Sequence, residues 1–417
     1  MSGTRARPPD ASVVIPYYDD QPRLSVLLRA LDQQVGEVAF EVIVSDDGSP
    51  AAPLIPPGLG YPCRTVRQDD RGFRAAAART LGGREARGAV LLFLDGDTLP
   101  TAGYVATMVN ALGEIDDGHG ALVVGRRRHV DLVGISEDRT LALLAGTESS
   151  TGSGVRPFED PQWLRDGYVR TADLRSSGDE DFRLVISAVL GVDRHVWEAT
   201  GGFDEEFVGY GGEDWDFAWR AWLSGATRGH VAGAVAWHDG PDAAGRDIDV
   251  TTKNQESLRV ARTIPLPSTR GSGLLHGIPE IVVRYRGPVT GTARDAAVVA
   301  CIARLLDGSD AAVWFPGCAS RDRLPPLLLD DPRVHVGEVP ATVTDRARYQ
   351  VQVDRPLALD GPLAEHCRRR ELRVDGWVGI RHRRSLARGV RVSPTPNHSA
   401  LQAIPQDVSL ERWWAGW

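Results

Sequence analysis

The chain has 417 residues, 42% of them apolar and 25% charged, enough for a sizeable core in two domains and against bulk disorder. Its 48 basic residues against 56 acidic ones leave a net charge of −8, a poor footprint for a nucleic-acid partner. No apolar run approaches the roughly 18 residues that span a bilayer, and the first ten residues lack the apolar segment of a signal peptide. The four cysteines (Cys63, Cys301, Cys318, Cys367) form no CxxC pair, so neither a disulfide framework nor a zinc ribbon is indicated. The expectation is a cytoplasmic protein without a transmembrane segment.

Strand and helix signals alternate from the start. Ser12–Ile15 is a short β-branched run closed by Pro16, and Leu24, Leu27, Leu28 and Leu31 recur at helical spacing. Phe40–Val44 reads as a second strand ending in the turn-rich Asp46-Asp47-Gly48-Ser49. Arg74–Arg84 is Ala-rich and helical, and Ala89–Leu94 is a continuous apolar run suited to a buried parallel strand. This order predicts an α/β unit with a mostly parallel sheet flanked by helices. From Val130 to Glu180 periodicity is weak and Ser149–Gly154 is turn-forming, the pattern of a functional loop. Order returns at Val185–Val192, at the aromatic Trp215–Trp222 and at the strand-like Val231–Ala236. Pro265–Gly273 is a candidate boundary, dividing the chain into 1–268 and a smaller α/β domain at 269–417.

Acids gather where strands end. Asp46 and Asp47 close one strand, and Asp95-Gly96-Asp97 closes another; in an open parallel sheet ligands bind outside those ends. A D-x-D there can hold a divalent cation that bridges a diphosphate, although Asp-Gly-Asp also bends a chain well. Glu213, Asp214 and Asp216 open a helix, where acids also suit the helix dipole. His238 follows a strand and can complete a cation's coordination, although a lone histidine is as readily structural. Arg71 and Arg74 flank the start of the Ala-rich helix, facing a phosphate or base, or solvent.

In order along the chain stand Val14-Ile15-Pro16-Tyr17-Tyr18, Val44–Ser49, Asp95-Gly96-Asp97, Gly201-Gly202-Phe203-Asp204 and Gly211–Asp214. Over residues 11 to 245 this combination resembles an inverting nucleotide-sugar glycosyltransferase of family 2 with the GT-A fold. The resemblance implies that Asp46 or Asp47 recognises the nucleotide base, with Pro16 and Tyr18 lining its pocket and Arg74 reaching the nucleotide. It implies that Asp95 and Asp97 form the D-x-D motif, Asp97 being the ligand of Mn²⁺ or Mg²⁺ on the diphosphate. It also implies that Asp214 takes the proton of the acceptor hydroxyl, with Glu213 supporting the acceptor. Phe203–Trp219 is similar to galactosyl- and N-acetylgalactosaminyltransferases; Tyr210 stands where they carry a loop tryptophan, and His238 where they carry a metal-binding histidine. Thr80 replaces the asparagine usual after Arg79. A UDP-sugar is the first expectation for the donor, with a hydroxyl of a glycan, natural product or peptide as acceptor.

Two rivals use the same residues differently: a nucleotidyltransferase that makes a nucleotide sugar, and a non-catalytic carbohydrate-binding scaffold. The first lacks a Gly-rich phosphate loop near the N-terminus, and the second has no use for intact acids. The last third pairs with the first at a constant offset, Val13–Gly48 with Val282–Gly317. This predicts a degenerate copy of the nucleotide-binding half in which Phe315 and Pro316 replace the acid pair and Pro356 replaces Asp97. Such a domain would pack on the catalytic one, bind acceptor or join copies into a homo-oligomer. Trp413, Trp414 and Trp417 are expected to dock into the chain's own core.

Overall fold

The structure is a computed structural model. It describes residues 8–148, 154–241, 250–290, 295–369, 371–395 and 400–415. Two compact units divide between Arg259 and Val260, ahead of the proline- and glycine-rich stretch read as a boundary from the sequence.

The first unit opens β1 (Ala11–Tyr17), α1 (Gln21–Asp32), β2 (Phe40–Asp46), β3 (Cys63–Arg67), α2 (Ala75–Glu85) and β4 (Val90–Leu94). β1 pairs in parallel with both β2 and β4, and β2 with β3. Val13, Val14 and Ile15 are fully buried, as are Leu91–Leu94, because a sheet covered on both faces needs apolar side chains on both. α2 lies close to it because its residues are small. A Cβ on Gly82 would sit 2.5 Å from Val14 Cγ1, and one on Gly83 would sit 2.2 Å from Trp197 Cζ2.

The chain continues through β5 (Thr98–Pro100), α3 (Tyr104–Ile115), β6 (Ala121–Asp131), α4 (Glu137–Leu144), β7 (Arg156–Pro157) and α5 (Gln162–Arg170). Then come β8 (Val189–Asp193), α6 (Arg194–Thr200), α7 (Glu213–Leu223), β9 (Thr227–Asp239) and α8 (Val250–Thr263). The sheet runs β3-β2-β1-β4-β8-β6-β9-β5, with β7 beside β6. β8 is antiparallel to both its neighbours, which makes the sheet mixed. This mixed, mostly parallel sheet between helices is the architecture expected of a GT-A domain. The stretch from Val130 to Glu180 is more ordered than its weak periodicity suggests, since α4 and α5 lie within it. Residues 149–153, most of the turn-forming stretch at Ser149–Gly154, lie outside the described residues, as does 242–245 of the family resemblance.

The second unit holds α9 (Pro267–Arg270), β10 (Ile281–Tyr285), α10 (Ala296–Leu306), β11 (Ala311–Phe315), α11 (Pro326–Leu329), β12 (Val334–Val336) and α12 (Ala341–Thr344). It continues with β13 (Tyr349–Val353), β14 (Leu357–Leu359), α13 (Leu363–Arg369), β15 (Leu372–Val374) and β16 (Val378–His382). Its own core joins Ile281, Val283 and Tyr285 of β10 to Ala297–Ile302 of α10. The sheet order is β12-β11-β10-β13-β16-β15. The first four strands are parallel and β16 is antiparallel to β13, as β3-β2-β1-β4 and β8 are in the first unit. The offset is not constant, however. Val13 faces Val42, whereas Val282 faces Ala312 and not Ala311, because the connection to β11 is one residue longer. With Val282 matched to Val13, Pro316 and Gly317 stand at the acid pair and Arg355 stands at Asp97.

Trp413 and Trp414 do not dock into the core: they are 36% and 54% exposed, on a short helix whose described side chains are otherwise also solvent-facing or half-buried. Trp417 lies outside the described residues. The cysteines are free thiols, and among the described residues no helix is long and apolar enough to cross a membrane.

Candidate active site

The carboxyl ends of β1, β2 and β4 lie side by side, with Tyr17 opposite Asp46. Asp46 is wholly buried. One of its oxygens accepts from the backbone and hydroxyl of Ser49 (2.9 and 2.6 Å), and the other pairs with Arg67 Nη1 at 2.7 Å. Its carboxylate therefore builds the turn. Asp47 binds Gln68 Nε2 and the backbone N–H of Arg74 (2.8 Å), so it caps the approach to α2. Gly48 closes the turn with φ +88°, and a Cβ there would sit 2.3 Å from the backbone nitrogen of Asp70. Pro16 is half-buried at the end of β1, and Tyr18 is exposed beside Asp70, whose negative charge raises the Tyr18 hydroxyl. Arg71 pairs with its neighbour Asp69, at 3.3 Å on the surface.

β4 delivers the second acid group. Asp97 is brought to His238 by the short antiparallel pairing of β5 with β9, in which Thr98 faces His238. Asp97 Oδ1 lies 3.3 Å from His238 Nδ1. Burial alone would raise the Asp97 carboxyl. Hydrogen bonding and charge from His238, aided by Arg127 and Thr98, hold it down at about 2. Behind His238 the ring of His129 stands edge-on at 4.9 Å, with its Nδ1 3.1 Å from the carbonyl of Gly240.

Among the described residues no three His, Cys, Asp or Glu side chains gather as a complete metal cage. Asp97 and His238 nevertheless fit a divalent cation that takes its remaining ligands from a diphosphate, the usual arrangement for Mg²⁺ and phosphates. A carboxylate ionised at every working pH beside an imidazole nitrogen supplies an oxygen and a nitrogen donor.

α7 supplies the third group. It starts at Gly212, which has φ +94°, and carries Glu213, Asp214 and Asp216 in its first turn. Asp216 is spent on Arg220 at 2.8 Å, and Arg220 also donates to the carbonyl of Thr200. Glu213 Oε1 pairs with Arg79 Nη1 at 2.9 Å, while Glu213 Oε2 is buried with no hydrogen-bond partner among the described residues. Asp214 accepts from the N–H of Trp215 at 2.9 Å, and among the described residues no basic group forms a salt bridge with it. Burial pushes the Asp214 carboxyl up to about 7. The charge of Glu213 adds to this, against the opposing effects of Arg79 and the backbone N–H groups of Trp215 and Ser187.

Arg79 joins these groups. It is buried, with Nη2 on Asp95 Oδ1 at 2.6 Å and Nη1 on Glu213, and its guanidinium lies 5.5 Å from the centre of the Phe203 ring. Burial opposes its charge, but the two carboxylates more than offset that and hold it above the ordinary arginine range. Sequence reasoning gave Arg79 no role; its signal is a charged side chain in the middle of α2, where the first turn is all alanine and Gly82 and Gly83 follow. Arg67 and His129 were missed as well, each being an ordinary residue within a strand. Tyr210 is 45% exposed, its ring 6.5 Å from that of Phe73, on the loop that leads into α7.

Over its first unit the chain is similar to known proteins. Residues 12–159 match the model of glycosyl transferase family 2, and residues 178–235 match that described as the N-terminal domain of galactosyltransferase. A hyaluronan synthase of Pasteurella multocida is 30% identical over 262 residues, 60% of this chain and 26% of that protein. A chondroitin synthase of Escherichia coli is 28% identical over 59% of this chain and 38% of its own length. A validoxylamine A glucosyltransferase of Streptomyces hygroscopicus subsp. jinggangensis is 30% identical over 53% of each. The chain thus spans between about a quarter and about half of the length of these relatives. Among solved structures, residues 1–349 of Staphylococcus aureus TarS align at 15% identity and a TM-score of 0.38, over 61% of this chain and 71% of that one. A Pyrobaculum calidifontis mannosyltransferase in complex with GDP-Man and Mn²⁺ aligns at 17% and 0.39, over 63% and 67%. The two family models fall within the first unit and cover its strand-end acids and the start of α7, so that it is over this unit that the chain is similar to glycosyl transferase family 2.

Proposed function

We propose that the chain is an inverting glycosyltransferase that moves a sugar from a nucleoside diphosphate sugar, a UDP-sugar first among the candidates, to a hydroxyl of a glycan, natural product or peptide. The observation that carries this reading is the guanidinium of Arg79 shared by Asp95 and Glu213, which draws the D-x-D turn and the start of α7 into one site. The names of the relatives, two glycan synthases and a glucosyltransferase, support the same class of reaction.

In this reading Pro16, Tyr18 and Asp47 face the base, and Arg74 reaches the nucleotide. Asp97 and His238 would hold Mn²⁺ or Mg²⁺ together with the diphosphate; the cation supplies charge neutralisation on the leaving group. Asp214 takes the proton of the acceptor hydroxyl, and Oε2 of Glu213, without a hydrogen-bond partner among the described residues, accepts a hydrogen bond from the acceptor. Attack from the face opposite the diphosphate inverts the anomeric centre. The second unit is a degenerate copy of the nucleotide-binding half, a reading supported by its shared strand order and by the lack of acids at the matched positions.

The test is a thermal-shift panel of UDP, GDP, dTDP, ADP and CDP with and without Mn²⁺. One nucleotide should raise the melting temperature, and only with metal. Asp97→Ala should lose the metal-dependent part, while Asp214→Asn should keep the shift and lose transfer. No shift with any nucleotide overturns the reading, and turnover by Asp214→Asn removes Asp214 as the base.

A further inference from the structure

The loop from Gly209 to Gly212 leads directly into Glu213 and Asp214, yet it has almost no means of holding itself. Gly209, Gly211 and Gly212 all have positive φ (+91°, +87° and +94°), and its one side chain, Tyr210, stands half in solvent. Glycines in such conformations leave the backbone with many alternatives, so the height of this loop must be set from outside.

Contacts on two sides hold it. On one side the N–H of Gly209 donates to the carbonyl of Phe73 at 2.9 Å, just before Arg74. On the other side stands α8. Arg259 Nη2 donates to the carbonyl of Tyr210 at 2.6 Å, and the backbone of Gly211 rests on the Glu256 carboxyl group. A Cβ on Gly211 would lie 2.8 Å from Glu256 Cδ. Glu256 is held in turn by Lys253, the chain's single lysine, at 3.0 Å.

The face that α8 offers the loop is unusual for packing alone. From Val250 to Arg259 the one buried side chain is Glu256, at 8% exposure, while Val250 and Leu258 point into solvent and the helix buries an apolar side chain only at Val260. A helix seated for stability buries an apolar stripe. This stretch buries a carboxylate and lends a guanidinium to a backbone carbonyl.

We infer that Glu256 and Arg259 are positioning residues for the acceptor side of the site, a polar latch that fixes the 209–212 loop and through it Tyr210, Glu213 and Asp214. The inference rests on the transferase reading above, and its test keeps the two separable. Arg259 and Glu256 touch the loop and not the reacting atoms. Their loss should therefore degrade acceptor use while leaving the nucleotide site alone.

The experiment places 3-fluorotyrosine at position 210 in the full-length chain and compares its ¹⁹F signal in the parent, Arg259→Ala, Arg259→Lys and Glu256→Gln. In Arg259→Ala the signal should shift and narrow as the loop is released; Arg259→Lys, which can still donate one N–H to the Tyr210 carbonyl, should recover part of the change. In parallel, kcat/KM for the acceptor should fall in Arg259→Ala by up to roughly a hundredfold, the order expected of a misplacement of about 1 Å at a reacting centre, with nucleoside diphosphate affinity unchanged. Glu256→Gln keeps the side chain's shape and guards against misreading an unfolded alanine variant. An unchanged ¹⁹F signal in Arg259→Ala and Glu256→Gln overturns the latch, and an equal loss of nucleotide affinity overturns its assignment to the acceptor side. If the parent shows no transfer, the ¹⁹F comparison still decides whether α8 holds the loop.

Discussion

Asp214 stands between neighbours that each have a cation of their own, Glu213 on Arg79 and Asp216 on Arg220. With burial and the charge of Glu213 raising its carboxyl to about 7, Asp214 keeps its proton well above the ordinary carboxylate range. A base must be deprotonated to act. Below that value, kcat/KM should climb about tenfold per pH unit and level off above it. Asp214→Asn should remove the titration together with the activity. A flat profile between pH 5 and 8 would refute Asp214 as the titrating base. The same shift has a stability consequence of opposite sense. The folded chain holds this proton more tightly than the unfolded one, so the contribution of Asp214 to stability falls as pH rises from 3.8 to about 7.

Among the elements, α2 carries the most. Its small residues bring it against β1, and its one buried cation joins β4 to α7. Replacing Arg79 with Met leaves Glu213 buried and Asp95 half-buried without their cation, at an expected cost of about 3 kcal/mol. The loss should be read as a lowered denaturation midpoint in urea. Arg79→Lys should recover only part, since an ammonium cannot present the planar fork that meets two carboxylates. A midpoint unchanged by Arg79→Met would mean the bridge is idle. β1, β2 and β4 were legible in the sequence because strands buried on both faces show as unbroken apolar runs. The D-x-D turn and the acids of α7 were legible as residue types, but their meeting was not. It depends on Arg79, which looks like any surface arginine until its helix is seen to bury that face. The approach of Asp97 to His238 was equally hidden, because β5 is only three residues long and leaves no pattern. α4 and α5 were passed over because each is short and lies beside turn-forming sequence.

At the scale of the whole chain, two sheets share a strand order but not a chemistry. The first ends its strands in Asp46, Asp47, Asp95 and Asp97; the second sets Pro316, Gly317 and Arg355 in the matched places. Isothermal titration of the full chain with its preferred nucleoside diphosphate and Mn²⁺ should therefore give a single nucleotide per chain, abolished by Asp97→Ala. Two per chain would mean that the second sheet retains a working site. The strand order shared by the two units was legible as a repeat of sequence pattern, whereas the one-residue change in register was not. A longer connection to β11 leaves the hydrophobic rhythm of each strand intact.

The shared guanidinium also constrains how this chain can change over time. Asp95 and Glu213 lie far apart in sequence, yet each is satisfied by the same side chain. Loss of Arg79 strands both acids, and loss of either acid leaves the buried guanidinium with one carboxylate fewer, so single steps are costly and their effects will not add, with coupling of about 0.5–3 kcal/mol. Arg79, Asp95 and Glu213 should consequently be inherited as a block. Epistasis here is a property of one forked cation, and a descendant that has shed one member of the trio should be found to have replaced the others.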